Sequence, residues 1–404
     1  MKSWLKYICL FACCMPMLSS CVLDEEVLDV AESCQATVEL TLSYSDDSPM
    51  SRDVSPNDDG SIPSLDNTTL EQKYLDEEDI FVLAFEALEN NSDNTGYDTD
   101  KFLGLVEDLS FVTESGVKKL RGRINPQKFT SGINVYFAVL TNLSQNEIKD
   151  ADGNEVTDMV AFLNGMMGQT SEDVYKELIY NTNDGKWLDD YNETTKEWEP
   201  RIPMWGKTGV SQLNYSSDID FGNCDLYRAV AKVQIWIGNR SGLTGPNGEA
   251  FKITKITIQN ANSKGYCVSL NEPDRDINKQ YTVASVPGYS SLGDIVYDDL
   301  EVTTVYSDMI YIPEHINSGE NATPIKILVE YTYNGTNYTG DKAGVIEFYD
   351  ADGAYNVIRN HSYVFNITGI SEPVNPELQY QVMNWTSVPN PDLYFGNSDG
   401  NVNN

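Results

Sequence analysis

The nine residues from Ala36 to Tyr44 constrain the fold more than any other stretch of the chain. Ala36, Val38, Leu40, Leu42 and Tyr44 alternate without a break against Thr37, Glu39, Thr41 and Ser43. Successive side chains of a strand point to opposite faces, so this stretch predicts a strand with one apolar and one polar side. A slip of one residue would turn the whole apolar set to water, which ties the strand to one register in one sheet. Behind it runs a polar segment, Ser45 to Asp59, rich in turn-forming residues, with Arg52 as its only basic side chain. A loop of this kind is open to proteolysis.

Upstream, Met1 to Ser20 reads as a targeting segment. Lys2 and Lys6 flank the start of an apolar run that is too short to span a bilayer. It ends in Leu18-Ser19-Ser20-Cys21, the pattern of a bacterial lipobox, with cleavage before Cys21 and an acyl (palmitate) chain on that cysteine. Val22 to Glu32, with Asp24, Glu25 and Glu26, reads as a solvated tether. Beyond the lipid site only Cys34, Cys224 and Cys267 remain in the processed chain. Cys224 and Cys267 can form a bridge or stay as free buried thiols.

The 404 residues carry 27 Lys and Arg against 62 Asp and Glu, a formal net charge of −35. That balance argues against nucleic acid and against docking on anionic lipid, since little is present to neutralise phosphates. His315 and His361 are the only histidines, so His-based metal sites and a Ser-His-Asp triad are poorly supplied. No phosphate-cradling glycine loop occurs. Asp150-Ala151-Asp152-Gly153-Asn154 begins like a calcium loop, but its glycine comes two positions early, so it reads as a turn. Asp350-Ala351-Asp352-Gly353 reads the same way. No catalytic residue, metal or cofactor is expected, and no enzymatic activity.

Downstream of the loop, residues 80–85 and 133–140 are continuous apolar runs, as expected of central strands covered on both faces. Residues 157–180 carry Met159, Val160, Leu163, Met166 and Met167 at helical spacing, which predicts one broken helix or two short ones. A boundary is expected between Pro203 and Cys224. Residues 226–237 then open a second half with Ala231, Val233, Ile235 and Ile237 on one face. Residues 251–258 change phase, which predicts a bulge near Thr254-Lys255. Asn334-Gly335 is a hairpin signal, because both residues accept positive φ. Further strands are expected at 302–312, 325–333, 345–349, 363–367 and 378–385. Many short strands, turn chemistry between them and few helices make an all-β chain of β-sandwiches.

In their order along the chain these pieces resemble the fimbrillins, the pilin subunits of type V pili in Bacteroides-like bacteria. The resemblance rests on the lipobox at Cys21, the strand Ala36 to Tyr44 followed by Arg52, and the apolar runs ending at Phe85 and Asn142. It continues through Ile202-Pro203-Met204-Trp205-Gly206 and Leu226-Tyr227-Arg228-Ala229-Val230-Ala231-Lys232-Val233. Tyr311-Ile312-Pro313-Glu314, Arg359-Asn360 with Tyr363, and Trp385 complete it. It implies two transthyretin-like β-sandwich domains, at 34–215 and 216–404, the first with a short helical insertion, after a signal peptide at 1–20 and a tether at 21–33. It also implies a precursor anchored in the outer membrane through Cys21 and destined for the fimbrium at the cell surface. An arginine-specific surface protease would cut after Arg52 and release the strand bearing Ala36, Val38, Leu40, Leu42 and Tyr44. The vacated groove would accept a donor strand from another pilus subunit, for which Leu378, Tyr380 and Val382 are the candidates, and the fibre would serve cell adhesion. The alternative is a monomeric surface lipoprotein that binds glycans on Trp187, Tyr191 and Trp198.

Overall fold

The computed structural model describes residues 36–44, 74–88, 100–124, 132–144, 147–182, 191–192, 197–198, 202–213, 219–237, 251–270, 294–301, 305–319, 322–350, 353–354, 356–371, 375–384 and 394–396. The expectations at Cys21, Cys34, Arg52, Trp187 and Trp385 lie outside these residues.

The first half contains β1 (Ala36–Tyr44), β2 (Tyr74–Asp76), β3 (Ile80–Glu86), β4 (Lys101–Leu105), β5 (Glu107–Glu114), β6 (Val117–Ile124) and β7 (Asn134–Thr141). Helices α1 (Met159–Gly165) and α2 (Ser171–Lys176) follow, then β8 (Ile179–Asn181), β9 (Tyr191–Asn192), β10 (Glu197–Trp198), β11 (Met204–Lys207), β12 (Ser211–Gln212) and β13 (Ile219–Arg228). One nine-stranded sheet runs β4-β3-β7-β11-β13-β1-β6-β5, with β12 beside β7. Its first and last strands, β4 and β5, are separated in sequence by Val106 alone, so the sheet curls until its ends meet. Strands from both ends therefore bury side chains in one core, Phe85, Phe102 and Phe137 beside Leu40, Leu120 and Ile124.

The continuous apolar runs occupy β3 and β7, which lie side by side and are buried along nearly their whole length. The helical pattern resolves into α1 and α2, two short helices. Asp158 caps the first by accepting from the Ala161 amide at 2.9 Å, and Thr170 caps the second by accepting from Asp173 N at 3.2 Å. They bury Met159, Leu163, Val174 and Tyr175 in the same core, where the Tyr175 and Phe85 rings meet edge-on at 5.4 Å.

The second half contains β14 (Val230–Ile237), β15 (Lys252–Gln259), β16 (Lys264–Tyr266), β17 (Ile295–Tyr297), β18 (Val305–Pro313), β19 (Lys326–Tyr333) and β20 (Thr336–Tyr338). It ends with β21 (Gly344–Glu347), β22 (Tyr349–Asp350), β23 (Gly353–Ala354), β24 (His361–Ser371), β25 (Asn375–Asn384) and β26 (Tyr394–Gly396). A four-stranded sheet, β18-β14-β24-β25, faces a five-stranded one, β17-β15-β19-β20 with β21 on β19. Ala231, Val233, Ile235 and Ile237 of the first share a second core with Ile253, Ile256, Ile258, Ile327 and Val329 of the other. This is a β-sandwich. The expected bulge is present as a register shift between Ile253 and Lys255. The expected hairpin joins β19 to β20 through Asn334 (φ 51°) and Gly335 (φ 73°).

The polar stretch at 214–218 suggested the expected break at 215/216, but β13 behind it belongs to the first sheet and sends Phe221, Cys224 and Leu226 into the first core. The chain changes sheets at Ala229. A buried polar joint surrounds that residue. The Arg228 amide and its Nη1 both donate to Asn360 Oδ1 at 3.2 Å, and the Asn360 amide donates to the Val230 carbonyl at 2.8 Å. The Tyr180 hydroxyl donates to the Ala229 carbonyl at 2.9 Å. Arg359 donates to Glu314 Oε2 at 2.7 Å and to the carbonyls of Tyr266 and Cys267 at 3.0 and 3.2 Å. Gly265 lies so close to Tyr180 that a Cβ there would overlap the phenol ring. Three dispersed sequence pieces, those holding Arg228, Glu314 and Arg359-Asn360 with Tyr363, thus meet in one place. The Tyr363 hydroxyl braces the last of them, accepting from the Ile358 amide at 2.8 Å.

Candidate functional site

β1 is set into the first sheet between two strands distant in sequence. It pairs antiparallel with β6, from Ala36 opposite Ile124 to Thr41 opposite Lys119. It pairs parallel with β13, from Val38 opposite Ile219 to Tyr44 opposite Leu226. That parallel ladder carries a bulge on β13, where Gly222 adopts φ 73° and its amide donates to Asp220 Oδ1 at 2.8 Å. Glycine suits the position because side chains resist positive φ.

Each face of β1 is held by different chemistry. On the inner face Val38, Leu40 and Leu42 are 1%, 2% and 0% exposed and belong to the first core. On the outer face Glu39 accepts from Arg121 Nε at 2.8 Å, touches Arg121 Nη2, and pairs with Lys119 at 3.4 Å. Lys119 also reaches Asp220 on β13 at 3.2 Å and Glu114 on β5 at 3.7 Å, while Arg121 lies 3.4 Å from Glu114. Four adjacent strands, β5, β6, β1 and β13, are thereby laced by charge across their outer face. Its bond to Asp220, then that to Glu39, holds the Lys119 ammonium above its ordinary pKa. The Gly222 amide, aided by Lys119, holds the Asp220 carboxyl below its own.

The β5–β6 hairpin that supplies these cations escapes the sequence reading. Its turn uses Ser115 (φ 55°) and Gly116 (φ 83°), and Lys118, Lys119, Arg121 and Arg123 mask the alternation of Leu120, Gly122 and Ile124. The available signal was a cluster of basic residues in a chain this acidic.

Leu378, Tyr380 and Val382 lie in β25, the edge strand of the second sandwich, opposite Ile367, Phe365 and Tyr363 of β24. Tyr191 and Trp198 are register partners in the small β9–β10 ladder. Cys224 and Cys267 are both free and buried, and burial raises the pKa of each thiol. Asp150 accepts from the Asn154 amide and Nδ2 at 2.7 and 2.9 Å, closing a turn. Among the described residues no three His, Cys, Asp or Glu side chains converge as a metal site. What the arrangement around β1 presents is a strand seated between two others, paired along both edges.

The all-β architecture is fimbrillin-like. The family described as Fimbrillin-A associated anchor proteins Mfa1 and Mfa2 matches residues 109–390, and the chain belongs to it. That family is a structural, fimbrial and cell-adhesion type rather than an enzyme family, and it implies the cell surface. Among solved structures the chain is similar to the tip fimbrial protein Mfa3 from Porphyromonas gingivalis, in a C-terminally truncated form. The identity is 12% and the TM-score 0.46, over 87% of this chain and 100% of that one. A fimbrial assembly protein from Parabacteroides distasonis is 11% identical with a TM-score of 0.41, over 88% of this chain and 98% of that one. No curated protein matches the chain. Among the described residues no helix is long and apolar enough to cross a membrane.

Proposed function

We propose that this chain is a fimbrial subunit that reaches the outer membrane as a lipoprotein on Cys21 and joins its neighbours by strand exchange at the slot of β1, in the service of cell adhesion. The two halves, divided at Ala229, act as the two sandwich domains of the subunit. The placement of β1 carries the reading. A strand that follows a lipobox-like sequence and precedes a polar sequence segment with Arg52 as its lone basic residue occupies the middle of a sheet, not its edge. Cleavage after Arg52 releases lipid and strand together. The loss opens the facing edges of β6 and β13 and bares the places of Val38, Leu40 and Leu42. Unpaired strand edges are templates for another strand. Each large apolar side chain buried again contributes about 1.5–3 kcal/mol.

N-terminal sequencing of the surface form tests the cut, and the expected first residue is Asp53. Arg52→Ala should leave a lipid-bound monomer. Fibres of that variant in which every subunit retains residues 36–44 would sink strand exchange for this chain and favour a tip, anchor or non-pilus role.

A further inference from the structure

We propose that the slot selects its incoming strand by charge as well as by shape: the strand that replaces β1 places a carboxylate where Glu39 sits, and β25 of a second copy of this chain meets that demand with Glu377. The proposal rests on the strand-exchange reading and names the partner of that same slot.

Lys119 and Arg121 belong to β6 and stay behind when β1 leaves. Glu39, whose side chain is only 14% exposed, is the carboxylate that takes Arg121 Nε, at 2.8 Å. Glu114 and Asp220, at 48% and 54%, stand further out on the flanking strands. A strand with a cation at the position of Glu39 would set three positive charges side by side in a half-buried place. Like charges in such a contact reject a wrong partner more strongly than a missing contact does.

The pattern of β1 recurs once near the other end of the chain. Glu39-Leu40-Thr41-Leu42-Ser43-Tyr44 reads acid, leucine, polar, apolar, polar, apolar, and Glu377-Leu378-Gln379-Tyr380-Gln381-Val382 reads the same. Glu377 is the only acidic residue of β25. Laid in the slot in the direction of β1 with Glu377 on Glu39, the strand puts Leu378, Tyr380 and Val382 at the places of Leu40, Leu42 and Tyr44. Pro376 then falls at Val38, the first rung of the ladder to β13, and proline is tolerated at the start of a strand. Shifting by one residue would turn the apolar residues outward, and shifting by two would move the carboxylate off Arg121.

The test uses the mature chain cut after Arg52 and fluorescent peptides of residues 375–384, with Glu377 native, Glu377→Gln or Glu377→Lys, and of residues 36–44. Binding is read by polarisation. Alkylation of Cys224, buried opposite Leu42 on β13, reports whether the slot is open. The native peptide should bind and protect Cys224. Glu377→Lys should weaken binding roughly tenfold or more, and Glu377→Gln by less. In the Arg121→Glu chain the preference between native and Glu377→Lys peptides should reverse, which a folding defect would not produce. Equal binding of the three 375–384 peptides would overturn charge selection and leave strand exchange standing. Binding of 36–44 but of no 375–384 peptide would overturn the assignment of β25. If no peptide binds and Cys224 stays unreactive after the cut, the slot does not open and both readings fall.

Discussion

β1 lies between two neighbours, β6 and β13, whereas β25 lies at the end of its sheet against β24 alone. Lifting β25 uncovers one edge and leaves the rest of its sheet in sequence. Lifting β1 cuts a sheet in two. The sequence distances differ as strongly. β24 and β25 are consecutive strands of a hairpin, while β1 must find partners that begin at Val117 and Ile219. Closing those long loops has an entropic cost that local pairing avoids. Two strands with the same residue pattern thus hold opposite positions, one inset between two neighbours and the other at an edge. The strand exchange proposed above would use that asymmetry.

The joint around Ala229 tests whether the two regions can be treated separately at all. Arg359 and Glu314 are almost fully enclosed, with side chains 5% and 11% exposed. Arg359→Ala leaves Glu314 buried without its cation, a change of the kind that costs about 3–5 kcal/mol. Calorimetry should show one transition splitting into two, the sandwich of β14–β25 melting apart from the β1 sheet. A single transition at an unchanged temperature would show that the joint does not couple them.

Next in size is the inner face of β1. Leu42 is fully buried in the first core. Leu42→Ala should lower stability by about 2–5 kcal/mol in urea unfolding, through lost burial and the cavity left behind. Truncating Val345, 45% exposed on β21, should change little. Equal effects at the two positions would mean that β1 contributes no more to the fold than a surface residue does.

What was readable in advance follows from the physics of each element. β3 and β7 are legible because they are buried on both faces, so their residues between the strand ends are apolar. The Asn334-Gly335 turn is legible because few residue pairs accept two positive φ values. Alternation makes β1 legible as a strand, but no local pattern tells that it joins β6 and β13. Such pairings depend on which edges remain free after the rest has folded. The β5–β6 hairpin hides because its outer face is ionic and pairs with carboxylates on two other strands, β1 and β13. The change of sheets at Ala229 hides because β13 runs on into β14 with that one residue between them, and only their partners differ.

The outer face of β1 should matter less for stability than the inner one. Arg121 is 37% exposed, so solvent screens its pair with Glu39. Arg121→Ala should cost about 1 kcal/mol or less in the uncut chain. Raised salt should narrow the gap between this variant and the parent. A loss matching that of Leu42→Ala would mean that the charges, not the core, hold the strand.

The smallest expected difference is in acid. His315 packs in the second half, with Nδ1 at 2.7 Å from Asn262 Oδ1 and Nε2 at 2.8 Å from the Thr323 carbonyl, and burial holds its pKa below the ordinary 6.5. The unfolded chain therefore takes up a proton there before the folded one does. The neutral ring's share of stability is present above pH 6.5 and is lost as the pH falls through the lower, folded value. In the first half Asp220 is also depressed, but its window opens only below 3.8. Acidifying from pH 7 to 5 should then lower amide protection, exchange being corrected for its own pH dependence, in β19 and around Val357, adjacent to His315, more than in β1 and β6. His315→Gln, which cannot titrate, should flatten that dependence. If β1 and β6 loosen first over this range, carboxylates of the outer face rather than the buried imidazole set the acid response, and the two regions differ in the opposite sense.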